Sequence, residues 1–558
     1  MAFRLPWTLP LAACAAALAH LAQPSVAHAC GGTFCDAGPQ AMPVDQTGEN
    51  ILFVVGPESV EAHVQIQYQG NPEQFAWVVP VMAVPEVEIG SDPLFDNLLT
   101  ATVPTFILDT QREDNCNDNS GGGFGCAAVA DLALSSDSEG IGEDHDNSPT
   151  VLVQDTVGAF EYAVLEGGTV EGVTQWLDEN GYAQDDEAPA ILGEYLDEGF
   201  SFVAFKLVAG AGVDEIHPVI LRTPGGEPCV PLRLTRIAAK EDMGIRTFFL
   251  GDGRVVPTNY SHVEINPLHI DWLIPGSNYE EVVTRAVDEP GASGRAFVTE
   301  YAGTSQTVSP DGIHSERWNS APFSEIGPNQ LSRVLQDQGF LDCTFECGFT
   351  HPLIQGLLET YLPVPPNVDP VEFYMCTECF SDFIDEERWE PSEFAAALEE
   401  RVIGPAEHAL DLLELPYLTR MYTTMSPHEM TVDPLFHTRA DLPEVSNQFS
   451  ATRIIDCEGP DSIILEDGRE IVFDELDRQP DFEDMPYSAV IERIPEQGAP
   501  ILTVDSRDAI NDALEDWNDD HRVADGCNCR VTRHTFEGGS TMMLMVLLGL
   551  RARRRRRD

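Results

Sequence analysis

Basic residues are scarce in this chain. Lysine occurs at only two positions, Lys206 and Lys240, and 31 Lys plus Arg face 94 Asp plus Glu, for a net charge of −63. A field of that sign repels phosphate backbones and anionic headgroups, which excludes nucleic acid and acidic lipid as general partners. It draws divalent cations loosely, and it suits a solvated surface in a saline exterior, where ions screen self-repulsion. Signature motifs are missing too. The sequence has no HExxH helix, no GxSxG elbow, no GxxxxGK[ST] phosphate loop and no GxGxxG turn, which removes the corresponding hydrolase, nucleotide and dinucleotide classes. A Ser/His/Asp set assembled in space from distant positions stays open.

What is present begins with size. At 558 residues, 43% hydrophobic and 8% aromatic, the chain can bury real cores and exceeds one compact domain, so two or three are expected. No internal repeat of 20–50 residues points to a solenoid.

The two ends read as address labels. Arg4 precedes an apolar stretch that reaches Leu21, Pro24 breaks the helix, and Ala27-His28-Ala29 offers small residues at a signal-peptidase site. The stretch is shorter than the ~20 residues a membrane span prefers. We therefore expect a secretory leader, residues 1–29, cut after Ala29 by signal peptidase, with Cys30 as the first mature residue. Ala27 occupies the place where a lipoprotein signal wants a Leu-like residue, so Cys30 is left free to pair. At the far end, Cys527-Asn528-Cys529 is followed by a Gly/Ser spacer, an apolar run over 541–550 and the cluster RARRRRRD. Arginine beside an apolar segment holds a tail on the cytoplasmic side of a membrane. The run amounts to ~15 Å of helix against a ~30 Å hydrocarbon core, so full spanning would draw the spacer into the bilayer as well.

Between the ends the expected fold class is α+β. Positions 60–68 alternate, with Val60, Ala62, Val64, Ile66 and Tyr68 on one face and Glu61, His63, Gln65 and Gln67 on the other, the pattern of a half-buried strand with a polar outer face. Positions 74–79 predict a second strand, and Gln69-Gly70-Asn71-Pro72 between them predicts a hairpin turn. An acidic, Gly/Ser/Asn-rich insertion occupies about 111–150. Helices are expected from 170 to Asn180-Gly181 and at 189–198, and strands at 200–208, 218–222, 231–237 and 245–250. This makes an antiparallel-strand-rich N-terminal domain over 30–285. From 286 to 525 the spacing favours helices, at 330–336, 351–361, 393–414 (kinked or split by Pro405) and 508–517, with short strands near 462–473 and 500–505. The expectation is a mainly helical second domain, followed by the sorting tail over 526–558.

ACGGTFC with PVDQTGENILF, then FAWVVPVMAVPEVEIG and WLDENGY…LDEGFSFVAFKL, resemble the bacterial family "domain of unknown function 2330" over most of 28–290, with looser echoes such as PYLTRMYTTMSPHEMTVDPLF toward 440. The resemblance implies an exported protein with no established activity, substrate or catalytic residues. The tail resembles MYXO-CTERM sorting signals in its layout of Cys motif, apolar segment and Arg cluster. That likeness implies processing by a membrane protease and anchoring near Cys527 or Cys529.

Of 13 cysteines, ten remain once Cys14, Cys527 and Cys529 are set aside, an even number that favours disulfides in an exported chain. Close neighbours suggest Cys30–Cys35 and Cys116–Cys126. Cys343-x3-Cys347 and Cys376-x2-Cys379 allow a structural Zn2+ held by four thiolates, with two disulfides as the preferred reading outside the cell. A CxxC redox pair at Cys376 and Cys379 lacks basic neighbours, and Glu378 lies between them. His262-x-Glu264 with His269-x-Asp271 can be drawn as a metal cluster, but the alternation with Val263 and Ile265 is that of a strand's wet face. The acidic run 114–119 lacks the fixed glycine and closing Glu of a calcium loop.

No cofactor is expected beyond structural zinc or loosely held divalent cations. The leading functional expectation is an exported cell-envelope or surface protein with a structural, adhesive or ligand-binding role. The alternative is an exported hydrolase of unrecognised family, with metal dependence left open. Neither substrate nor partner is readable.

Overall fold

The structure is a computed structural model that describes residues 46–522, apart from 57–58, 67–74, 114–147, 183–186, 210, 212–214, 238, 345–346, 457–458, 474–479, 481 and 483. The leader with Ala29, the pairs Cys30–Cys35 and Cys116–Cys126, most of the acidic insertion, and the tail with Cys527 and Cys529 lie outside the described residues.

Ten strands form the central sheet: β1 (Gln46–Val55), β2 (Ser59–Ile66), β3 (Glu86–Ile89), β4 (Val219–Pro224), β5 (Ala239–Gly251), β6 (Ser261–Ile265), β7 (Ala296–Thr304), β8 (Tyr417–Met425), β9 (Ser488–Arg493) and β10 (Ile501–Asp505). Their order across the sheet is β10-β9-β6-β7-β8-β5-β1-β2-β4-β3. Pairing is mixed, with β1 parallel to β5 and β2 antiparallel to both β1 and β4. Strands from both sides of residue 285 therefore share one sheet, and β8 sits near its middle.

Two helices matter for the site. α1 (Asp92–Thr102) starts at Ser91, whose hydroxyl accepts from the Leu94 N–H, with Pro93 in its first turn. α2 (Gly404–Leu413) continues a helix at Pro391–Leu398 through a π-helical turn at Glu399–Ile403. The expected effect of Pro405 has a clear form here. Proline has no N–H to close an α-helical bond, and the wider turn just before it absorbs the mismatch.

Four layers stack as helix, sheet, sheet, helix. On one face of the central sheet, Leu52 and Val54 pack with Leu94, Phe95 and Leu98 of α1 and Ala409 and Leu412 of α2. On the other face Ile51, Phe53, Val60 and Val64 meet Trp77, Phe160 and Phe205 of a second sheet, ordered Ala76–Val81, Ser201–Leu207, Phe160–Glu166, Thr150–Val157. The helices Val170–Glu179 and Ala188–Asp197 close that sheet's outer side around Val173, Leu177, Ile191 and Tyr195. Burying aromatic and β-branched side chains between layers is the main stabilising contribution, at about 25 cal/mol per Å2 of apolar surface.

Three expectations are corrected. The two expected segments hold the strands Ser59–Ile66 and Ala76–Val81, but these do not form a hairpin: β2 stays in the central sheet while Ala76–Val81 pairs with Ser201–Leu207. Ala76–Val81 is buried along its whole length, and a strand apolar on both faces belongs between layers, not at a half-exposed edge. The stretch at 231–237 holds a short helix, Leu232–Thr235, which places Arg233 on Asp433. The region after 286 is not mainly helical. Its helical cluster around Phe323, Leu335, Leu357, Phe373 and Phe394 is flanked by β7 and β8, and a four-stranded sheet follows in which Gln448–Ile455 pairs parallel with Thr105–Arg112. No helix among the described residues is long and apolar enough to cross a membrane.

Candidate functional site

The polar face of β2 is not a wet face. Glu61, His63 and Gln65 lie on the side of the sheet that α1 and α2 cover, because residues opposite one another across strands share a face and His63 stands opposite Leu52. His63 is 1% exposed. The π turn delivers His408 of α2 above β2, where its Nε2 lies 3.0 Å from Glu61 Oε2. His63 Nε2 is 3.4 Å from the same oxygen. The two imidazoles stack, with ring centroids 5.9 Å apart and planes 10° from parallel. Among the described residues, neither ring nitrogen of His63 has a partner in hydrogen-bond geometry.

Glu61's other oxygen is fixed from the neighbouring strand. Arg222 stands directly opposite on β4 and donates from Nε to Glu61 Oε1 at 3.0 Å. The same guanidinium forks onto Glu88 of β3, Nη1 to Oε1 at 2.7 Å and Nη2 to Oε2 at 3.2 Å, and reaches Glu86 at 3.5 Å. Three carboxylates around one guanidinium leave the site negative. Behind it runs a polar relay, in which Asn50 Nδ2 donates to Gln65 Oε1 and Gln65 Nε2 donates to Asp92 Oδ1 at the head of α1.

Burial pushes the Glu61 carboxyl up, but the close contacts of His408, His63 and Arg222, with the Arg222 charge, outweigh it and hold the group well below the usual carboxylate range. Burial pushes the His63 imidazole down, against the pull of Glu61, which favours the neutral ring. A neutral imidazole offers a lone pair. Two imidazoles and an ionised carboxylate converging on one point make a donor set suited to a cation. Glu61 and His408 keep 15% and 29% of their side-chain surface exposed, so the point is reachable from solvent.

The positions singled out from sequence go elsewhere. Cys343 and Cys347 close one disulfide, and Cys376 and Cys379 another. The four sulfurs are thus paired as two bridges in the structure. Cys229 is free. His262 is buried, with Nε2 3.0 Å from Thr299 Oγ1 and Nδ1 3.4 Å from Glu492, while His269 stacks on Tyr487 at 3.8 Å and reaches the Met485 carbonyl. The wet-face reading of that strand is corrected, since His262 and Asn266 are both buried and only Glu264 is exposed. These two histidines serve separate packing networks. Sequence reasoning missed Glu61-x-His63, although the i, i+2 spacing on one strand face was visible; no local signal pointed to His408.

Fold and site together define a layered α+β protein with a half-buried cluster of one carboxylate and two imidazoles under two helices. A sequence model of a bacterial family, described as an uncharacterized protein conserved in bacteria (DUF2330), matches residues 24–314. The chain belongs to this family. The match contains Glu61, His63 and Arg222, and His408 lies beyond it. No curated protein and no solved structure matches.

Proposed function

We propose that this chain is an exported bacterial cell-envelope protein that works by binding, not by turnover. The observation that carries the export reading is the pair of closed disulfides at Cys343–Cys347 and Cys376–Cys379, because such bridges persist in oxidising compartments and are reduced in the cytosol. The leader ending at Ala29, the acidic surface and the Arg-rich tail support the same reading. In it, signal peptidase releases Cys30, a membrane protease acts on the tail, and Cys527 or Cys529 marks the retained membrane anchor.

The binding role is supported by the way Glu61 is held. Both of its oxygens are engaged, Oε1 by Arg222 and Oε2 by His408, so the carboxylate is tied in place as a fixed acceptor. A general base needs a lone pair directed at a substrate proton. Fixed donors and acceptors around a reachable point suit holding a ligand.

Fractionation of the producing bacterium, with intact mass measured before and after reduction, tests the proposal. The expected outcome is envelope material beginning at Cys30, shortened at the tail, that gains mass on reduction and alkylation. Cytosolic material running from Met1 to Asp558 with free thiols overturns it.

A further inference from the structure

We propose that Glu61, His63 and His408 are the three protein ligands of a site for a divalent first-row transition metal, Zn2+ in the first instance. The proposal rests on the reading that this cluster holds a ligand, and names its class; it does not depend on where the protein resides.

Geometry comes first. One oxygen of Glu61 and one nitrogen from each of His63 and His408 lie within 4.8 Å of one another. Two atoms bound to a single metal at ~2.0–2.1 Å stand roughly 3.0–3.4 Å apart in octahedral or tetrahedral arrangement. The observed separations from Glu61 Oε2 are 3.0 Å to His408 and 3.4 Å to His63. Two of the three donor pairs therefore already stand at the spacing a shared ion sets, and the two imidazole nitrogens lie within 4.8 Å of each other.

The second observation is His63 itself. A buried polar group without a partner costs roughly 1–3 kcal/mol, and both ring nitrogens of this one are unpartnered while the side chain is 98% buried. A metal bond to Nε2 would satisfy one of them.

The surroundings resemble a ligand's supporting shell. Arg222 pins Glu61 Oε1, as outer hydrogen bonds do for ligating carboxylates, and an ion would take the place of the direct contact between Oε2 and His408. Glu86 and Glu88 offset the guanidinium and keep the neighbourhood anionic. Two imidazoles with one carboxylate favour zinc or another first-row ion over calcium and magnesium, which take oxygen donors. Three protein ligands leave a further position to water or a small ligand on the exposed side.

The test uses the full secreted chain, stripped with chelator and dialysed. Zn2+ is titrated by calorimetry in a background of millimolar Ca2+, which occupies the diffuse acidic surface. The expected result is one Zn2+ per chain, weakened roughly 100-fold or more in both His408→Gln and Glu61→Gln. His408 is part-exposed, so His408→Gln is expected to fold, and circular dichroism checks that it does. Co2+ added in place of Zn2+ reports the ligands directly. Visible d–d bands without a thiolate charge-transfer band support the site; a thiolate band assigns the metal to cysteine and overturns it. Zn2+ binding that Ca2+ abolishes, or that His408→Gln leaves unchanged, also overturns it. Those results leave the export proposal standing, because fractionation reads that separately.

Discussion

His408 and Glu61 are 347 residues apart in sequence and 3.0 Å apart in space, Nε2 to Oε2. The contact ties α2 to β2, and Arg222 ties the same carboxylate to β4 and, through Glu88, to β3. Four elements thus converge on one side chain, and its neighbours are expected to behave as a unit.

Arg222→Met is expected to lower stability by roughly 1–2 kcal/mol, discounted because the guanidinium is one-quarter exposed. Adding Glu61→Gln removes the charge that Arg222 offsets, so the double variant should lose less than the two singles combined, by about 1 kcal/mol. Urea unfolding of the four proteins at neutral pH measures this cycle. Additivity within a few tenths of a kcal/mol would show that Arg222 acts on Glu86 and Glu88 alone.

A second long-range pair lies in the middle of the central sheet. Arg420 of β8 donates from Nε to Glu300 of β7, and both side chains are almost wholly buried, at 4% and 1% exposure. Arg420 Nη1 also donates to the Leu99 carbonyl and Thr102 Oγ1 of α1, each at 3.2 Å. Removing one partner strands the other as a buried charge, so Glu300→Gln is expected to cost about 3–5 kcal/mol in thermal or urea unfolding. Arg420→Met together with Glu300→Leu should recover part of that loss, because two apolar side chains need no partners. A loss from Glu300→Gln no larger than that of a surface substitution would mean that water reaches the pair.

Much of the fold was legible where pattern and burial agree. Helices came through at Val170–Glu179, Ala188–Asp197 and Leu331–Gln338, and the apolar face of β2 is indeed core. β8 was not legible. Its residues are buried almost throughout, yet Thr419, Arg420, Thr423 and Thr424 sit among its apolar ones, so neither alternation nor an apolar run marks the strand. Partners far away in sequence make those polar positions tolerable. The same reason hid the site. A polar strand face reads as solvated unless something is known to cover it, and the covering helices begin at residues 92 and 404.

Cysteine chemistry offers a residue-level check. Burial pushes the Cys229 thiol well above its ordinary range, with the nearby Asp433 carboxylate adding to the effect. Native protein is therefore expected to leave Cys229 unalkylated at pH 8, while denaturant alone exposes it. Cys343, Cys347, Cys376 and Cys379 should label only after reduction. Their bridges join residues four and three apart and constrain little of the unfolded chain, so reduction should shift the melting temperature only modestly. Peptide mapping after differential alkylation reads both outcomes. Labelling of all four without reductant would remove the main support for export.

The last prediction concerns acid, and turns on His217. Its ring is enclosed by Phe160, 4.9 Å away edge-on, and by the turn at Gly158, where φ is +60° and a Cβ would stand 2.1 Å from Nε2. Nδ1 is 2.9 Å from the Pro218 carbonyl and Nε2 is 3.2 Å from the Ala159 N–H. The neutral tautomer with the proton on Nδ1 satisfies both, and a second proton on Nε2 would face a donor. Burial, aided by the Arg401 charge, lowers the group from 6.5 to about 4. The sign follows directly. Between those values the unfolded chain binds a proton that the folded chain refuses, so the stability from His217 is complete above pH 6.5 and drains away as pH falls toward 4. The loss from pH 7 to pH 5 is about 2 kcal/mol. Buried carboxyls such as Glu49, which burial raises to about 7, contribute with the opposite slope, so the whole-protein curve mixes both signs. The comparison with His217→Gln isolates the one group, since the amide can accept from Ala159 but does not titrate. We expect His217→Gln to be the less stable protein at pH 7 and the gap to shrink by about 2 kcal/mol at pH 5. Unfolding curves that stay parallel from pH 7 to pH 5 would mean that His217 takes up its proton without leaving the fold.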